Sequence, residues 1–197
     1  MELMVLQCDW RQCKSSRTLA LPSDWSLEEL HAALQCAFGW EFEHMYMFEA
    51  ADGRRWSEVP PFDDFDDEEP DEDPRKTTLA EMFPRLKGRL EYEYDFGDSN
   101  EVRLTFAKRV EGEGPACLEA TGLMAEEDSA GFGYADGIAR ILEAGPKNKW
   151  YGDAADWLNI ESEEDAKAWI AEHQADAAAI TEGLQGIRPP RRKRGKK

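Results

Sequence analysis

The residues best suited to chemistry are His44, the stretch YDFGD at 94–98 and the pair Glu127-Asp128. An imidazole beside a carboxylate can act as a general base, and with more oxygens it can hold a divalent cation. His44 can meet Asp95 or Asp98 in space, and Glu127 and Asp128 can add oxygens. The three segments are far apart in sequence, so only the fold can assemble them. The same residues also have a plainer use. Asp98 can accept amide hydrogen bonds inside a turn, Asp95 can pair across strands, and Tyr94 and Phe96 can fill a core. The other histidines, His31 and His173, fall within helical apolar stripes, where an imidazole more often packs than ligates.

Familiar catalytic signatures are missing. GFGYADG at 131–137 lacks the lysine of a phosphate-cradling loop, and there is no G-x-S-x-G elbow and no cysteine with a nearby histidine. Cys8, Cys13, Cys36 and Cys117 form no C-x-x-C pair, so free thiols are expected rather than a zinc knuckle.

The positioning elements are legible from periodicity. ELMVLQCDW and RTLALP read as strands around a polar turn. SLEELHAALQCAFGW (26–40) reads as a helix, with Ser26 and Glu29 at capping-box spacing and Gly39 as terminator. Its inward stripe is Leu27, Leu30, His31, Leu34 and Phe38. HMYMFEA reads as a strand and TTLAEMFPRLKG as a short helix capped by Thr78. Leu90, Tyr92, Tyr94 and Phe96 alternate with acids, and Val102, Leu104 and Phe106 alternate with polar residues. These two strands make a hairpin, for which we expect Tyr94 opposite Leu104 and Asp95 opposite Arg103, with Gly97 easing the reversal. Residues from 111 read as Gly-rich loop, followed by a helix from Ala135. One long amphipathic helix is expected over about 163–185, capped by Ser162, with Trp169, Ile170, His173, Ile180 and Leu184 in its stripe.

Charge is strongly asymmetric. The formal net charge is −18, but RPPRRKRGKK (188–197) carries seven Lys or Arg and no acid. The remainder holds 17 basic against 42 acidic residues, a net of −25. Such a body repels nucleic acid, itself a polyanion, so nucleic-acid binding is expected through the tail if at all. The tail is expected to be disordered. The segment 60–74 is expected to be an exposed acidic insertion, since nine of the eleven residues from Asp63 to Asp73 are acidic. With no apolar run of membrane-spanning length and no secretory leader, a cytoplasmic protein without membrane contact is expected.

Several motifs in series resemble the plasmid pRiA4b ORF-3-like family. A helix ending in FGW and followed by a histidine and an aromatic strand matches LEELHAALQCAFGWEFEHMYMF. YDFGD matches Tyr94, Asp95, Phe96, Gly97 and Asp98, and a Cys- and Gly-containing loop matches CLEATGLMAEEDSAGFGY. A final LN falls in DWLNI, and the resemblance spans roughly 2–160. Carried over residue by residue, the family-motif positions are Trp40, His44, Tyr94, Asp95, Gly97, Asp98, Glu127, Asp128, Gly131 and Tyr134. Where the family pattern has W-x-H after YDFGD, this chain has Asn100 and Val102. The Pro-Pro before ED is Ala125-Glu126, and the following Cys-Gly is Ser129-Ala130. The resemblance implies an α+β fold, a mixed or antiparallel sheet with helices packed on it, and an association with plasmids and mobile elements. It implies no substrate.

The expected organisation is a single α+β domain over 1–187 and a basic tail over 188–197. The expected role is a non-catalytic interaction protein, without cofactor, whose acidic body binds a basic protein partner. The alternative is a metal-dependent enzyme holding a divalent metal on His44, Asp95, Asp98, Glu127 and Asp128. Deleting 188–197 is expected to abolish any retention on a DNA column at low salt. Retention that survives the deletion would place a basic face on the body.

Overall fold

The structure is a computed structural model and describes residues 1–57 and 71–187. The acidic insertion up to residue 70 and the basic tail lie outside the described residues, so the expectations for them are not addressed. The described end of the insertion is pinned by ion pairs, Arg55 to Asp71 at 3.1 Å and Arg75 to Asp73 at 2.8 Å.

Seven strands form one sheet. They are β1 (Glu2–Trp10), β2 (Ser16–Pro22), β3 (Tyr46–Ala50), β4 (Arg55–Ser57), β5 (Arg89–Tyr94), β6 (Asn100–Glu111) and β7 (Ala116–Thr121), in the order β4-β3-β5-β6-β1-β2-β7. Every pairing is antiparallel. The fold class is therefore α+β, as the motif series implied.

The period-two alternation sends Met4, Leu6, Trp10, Phe48, Tyr92, Leu104 and Phe106 to one face, where they are buried. Helix α1 (Leu27–Phe38) lies on that face. Ser26 and Glu29 make the expected capping box, and Gly39 ends the helix at φ 90°. A side chain at Gly39 would also press on Met124, whose Cε would lie 3.1 Å from an added Cβ. The expected inward stripe of α1 is buried throughout.

The remaining helices are α2 (Leu79–Met82), α3 (Tyr134–Ala144), α4 (Tyr151–Trp157), α5 (Glu163–Glu172) and α6 (Ala177–Gly186). Helix α6 packs on α1 and β7, while α3, α4 and α5 gather around their own cluster of Ile138, Leu142 and Ala166. None of the helices among the described residues is long and apolar enough to cross a membrane.

Three expectations need correction. The long C-terminal helix is two helices, because Asp176 caps a fresh start by accepting from Ala178 N and Ala179 N. Between them Gln174 bridges to Leu123. The apolar stripe continues across the break, which is why periodicity reads it as continuous. The hairpin register is tighter than expected: Tyr94 faces Asn100, and Glu91 faces Arg103. Asp95 is thus a turn residue at φ 58°, and Ser99 N closes the loop onto its carbonyl at 2.6 Å. The left-handed step at Asp95 also interrupts alternation, so Phe96 is exposed rather than in the core. Finally, the stretch read as loop from 111 contains β7. That edge strand is sealed from α6, where Thr181 Oγ1 accepts from Cys117 N at 3.0 Å. The opposite edge strand, β4, is only three residues long and is bridged by Glu72.

Arg17 points into the core from β2 and is completely buried. Its guanidinium donates to Ala37 O at 2.7 Å, Ser16 O at 2.8 Å, Thr121 O at 2.6 Å and Leu123 O at 3.0 Å. Ala37 lies in the last turn of α1, where unpaired carbonyls and the helix dipole favour a cation. Replacing Arg17 with Met removes these donors, and although Leu123 O keeps Ser15 Oγ at 3.0 Å, a carbonyl left unsatisfied costs about 1–3 kcal/mol as a buried polar group. Thermal denaturation is expected to show a loss of about 2–12 °C. Arg17→Lys should recover little of it, because an ammonium lacks the planar fork. A melting temperature unchanged in Arg17→Met would remove this role.

Candidate functional site

Three loops meet at one end of the sheet. Residues 40–45 leave α1, residues 95–99 join β5 to β6, and residues 122–128 follow β7. The first is anchored by Trp40, whose ring lies 5.3 Å from Trp10 and 5.2 Å from Tyr94. It is also held by Gln35 Oε1, which accepts from Phe42 N at 2.9 Å. Gln35 in turn shares Tyr92 OH with buried His31, so the network reaches the sheet's centre. The neutral His31 ring stacks on Tyr46 at 3.6 Å, and burial lowers its pKa to about 3. It packs, as its stripe position suggested.

The second loop is tied to the first by Asp95 N donating to Met45 O at 2.9 Å. The third is tied to α1 by Ala125 N donating to Phe38 O at 2.6 Å, and to α5 by Met124 N donating to His173 O at 2.7 Å.

Into the space between them project His44, Asp95, Glu127 and Asp128. His44 Nδ1 lies 3.7 Å from Asp95 Oδ1. Its Nε2 lies 3.6 Å from Asp128 Oδ1 and 3.9 Å from Glu127 Oε2. One donor atom each from His44, Asp95 and Asp128 falls within a 4.8 Å span. Glu127 is aimed through one oxygen: its Oε1 accepts from Glu41 N at 2.8 Å and from Tyr94 OH at 3.0 Å. That leaves its Oε2 buried with no hydrogen-bond partner, and the facing His44 Nε2 is in the same condition. Burial raises the Glu127 carboxyl above its ordinary range, against the opposing hydrogen bonds from Glu41 N and Tyr94. Burial, then the Glu127 charge, raises the Tyr94 phenol, which stays protonated as the donor.

The backbone is strained at the same place. Of the seven non-glycine residues at positive φ among the described residues, Phe42, Asp95, Ser99 and Asp128 belong to these loops, and Tyr134 follows the third. For bulky Phe42 and Tyr134 such a conformation is a true outlier, of the kind that persists where surrounding contacts over-determine it.

The sequence candidates therefore divide. The fold joins His44, Asp95, Glu127 and Asp128. Asp98 is withdrawn from the cluster: its Oδ2 accepts from Ala130 N at 3.0 Å and its carbonyl accepts from Tyr134 OH at 2.7 Å. Asp98 thus accepts an amide from outside its own turn, where the plainer reading placed the donor within it, and Tyr134 adds a second tie to the corner. Asp95 does part of that work too, accepting from Gly97 N at 3.0 Å. Gly131 lies in open space. Asn100 and Val102, where the family pattern has Trp and His, are both buried on β6.

Sequence reasoning missed the pair that carries the third loop. His173 Nε2 lies 3.1 Å from Glu126 Oε2, and its Nδ1 lies 2.8 Å from Trp169 O. Both nitrogens face acceptors, which a doubly protonated ring satisfies best. No motif marks the pair, because its members meet only after α5 docks.

A family model described as plasmid pRiA4b ORF-3-like protein matches residues 6–170. The uncharacterized protein y4hQ of Sinorhizobium fredii is 29% identical over 164 residues, with 77% of each chain covered. The crystal structure of the protein of unknown function MM3350 from Methanosarcina mazei Go1 superposes with a TM-score of 0.64 at 22% identity. It covers 82% of this chain and 92% of that one. The likeness to that structure is one of fold.

The His173 pair makes a pH prediction. Burial lowers the ring's pKa, but the Glu126 hydrogen bond and the Trp169 carbonyl outweigh burial and raise it above the ordinary histidine value. The pair's stability contribution is then fully present below about pH 6.5 and is lost as pH rises through the raised folded value. Melting temperature measured from pH 6 to pH 9 should fall further in the wild type than in His173→Gln, by about 2 °C. Parallel curves would mean that the pair does not titrate in this window.

Proposed function

The chain belongs to the plasmid pRiA4b ORF-3-like family, and from its converged loops we propose that it binds a divalent transition-metal cation and uses it in hydrolytic chemistry. The observation that carries this reading is the pair of buried, unpartnered atoms, His44 Nε2 and Glu127 Oε2, facing each other at 3.9 Å beside Asp128 Oδ1. A buried polar atom without a partner costs about 1–3 kcal/mol. Two such atoms of complementary ligand type beside a carboxylate are accounted for if a cation completes them.

One nitrogen and two carboxylates suit zinc or manganese better than calcium, which prefers an all-oxygen shell. Bonds of about 2.1 Å put neighbouring donors about 3.0–3.5 Å apart, so from their 3.6 and 3.9 Å separations from His44 Nε2 the Asp128 and Glu127 carboxylates would close onto the ring. Asp95 on the Nδ1 side is placed to orient the ring, as outer carboxylates do for metal-binding histidines. Three protein ligands leave positions open for water, and a bound cation lowers that water's pKa towards neutrality.

Exposed Phe42, Met45 and Phe96 stand on the loops that hold the cluster and give it an apolar border. An association with plasmids or mobile elements stays a proposal resting on the family's description.

Zinc and manganese titrations followed by thermal shift test the cation reading. At a hundredfold excess over Kd, an ion stabilises by about 2.7 kcal/mol, worth about 5–10 °C here. His44→Gln and Glu127→Gln should lose the shift. Without ion, Glu127→Gln is expected to melt no lower than wild type at pH 7, since it removes a buried charge while keeping an acceptor for Tyr94. No shift with either ion in the wild type, or an equal shift in both variants, would overturn the proposal.

A further inference from the structure

The outer face of the sheet, opposite α1, presents its carboxylates in an order that works against the fold. On β3, β5 and β6 the register sets Glu49 directly opposite Glu91, and Glu93 directly opposite Glu101. Like charges placed across a strand pair are destabilising. The neighbouring cations relieve only part of this. Arg103 pairs with Glu91 at 2.8 Å and Arg11 with Glu101 at 2.7 Å. Glu49 has Arg55 opposite it on β4, but that guanidinium is paired with Asp71 at 3.1 Å, and Glu93 hydrogen-bonds the Ser99 hydroxyl at 2.9 Å. The second oxygen of Glu91 is buried without a hydrogen-bond partner. Glu49, Glu91, Glu93 and Glu101 line a groove of about 190 Å³ together with Arg11 and Met47, and Tyr92, whose ring lies on the core face, contributes its backbone there. The described helices packed on the sheet lie on its other side, where the aromatic core is.

We infer that this groove is a docking surface for a basic segment of a partner protein, which lays Lys or Arg side chains between the opposed glutamates and an aliphatic stem over Met47. Charge complementarity selects this occupant. A second copy of the chain would bring the same acidic face and be repelled, and nucleic acid would be repelled for the same reason. An extended segment fits best, because its alternate side chains match the two-residue repeat of the glutamate rows. The inference is independent of the cation site, which lies at the sheet's end and uses none of these residues.

The test uses the full chain and a fluorescent alternating Arg-Ser decapeptide, read by anisotropy at about 0.15 M salt, where long-range attraction to the acidic body is largely screened. Glu49→Gln with Glu93→Gln should weaken binding about tenfold. The control Glu143→Gln with Glu182→Gln removes the same charge from exposed helix positions and should stay within about twofold. The sheet variant relieves like-charge opposition and should melt no lower than wild type, so misfolding would be visible separately. Amide shifts on peptide addition should centre on β3, β5 and β6. Equal weakening in both variants, no weakening in either, or shifts centred on the His44 corner would overturn the inference.

Discussion

A single buried cation sets the frame on which the site depends. Among the described residues no carboxylate pairs with Arg17; its N–H groups meet backbone carbonyls from the last turn of α1, its own strand and the segment 121–123, with Met124 Sδ and the Phe38 ring beside them. Burying a charge on dipoles alone is tolerable only if every N–H finds an acceptor and the acceptors are themselves rigid. The guanidinium therefore fixes the distance between the end of α1 and the chain leaving β7. Those two segments lead directly to His44 and to Glu127. The spacing of imidazole and carboxylate at the surface follows from a charge placed in the interior.

Around that frame the site is assembled by hydrogen bonds that reach outwards from the core. Gln35 and Tyr92 carry the constraint from α1 and the sheet to the backbone of Phe42. Tyr94 carries it from β5 to Glu127. Each link uses a polar atom on an otherwise apolar, buried side chain, so the aromatic core also acts as a positioning device. The cost is visible as positive φ at Phe42, Asp95 and Asp128, and as unpaired polar atoms on His44 and Glu127. Local rules are broken where the rest of the structure is most consistent, a pattern associated with function rather than with folding.

The sequence carried the fold well where a local rule decides the outcome. Ser26 and Glu29 announce the start of α1, Gly39 announces its end, and the alternation through Tyr92 and Tyr94 places β5 correctly. It failed where one residue's conformation resets the pattern. Asp95 in the left-handed region shifts the hairpin register and turns Phe96 outwards, and Asp176 starts a new helix inside an unbroken apolar stripe. For the site, the residue types His, Asp and Glu were enough to nominate members, but not to separate Asp98 from Asp95. That separation depends on Ala130 N and Tyr134 OH, which only the docked loop brings to Asp98. The Glu126–His173 pair left no local trace because its partners come from elements that meet late in the chain.

The two ends of the strand array have a further consequence. Thr181 occupies backbone groups of β7, and β4 is too short to offer a run of them. An array of seven antiparallel strands would ordinarily be a template onto which further copies could add. Thr181 covers Cys117 on one margin and Glu72 bridges Trp56 on the other, so among the described residues each edge is interrupted for an incoming strand. The net charge of −18 works in the same direction, since a second copy approaching either edge carries the same sign.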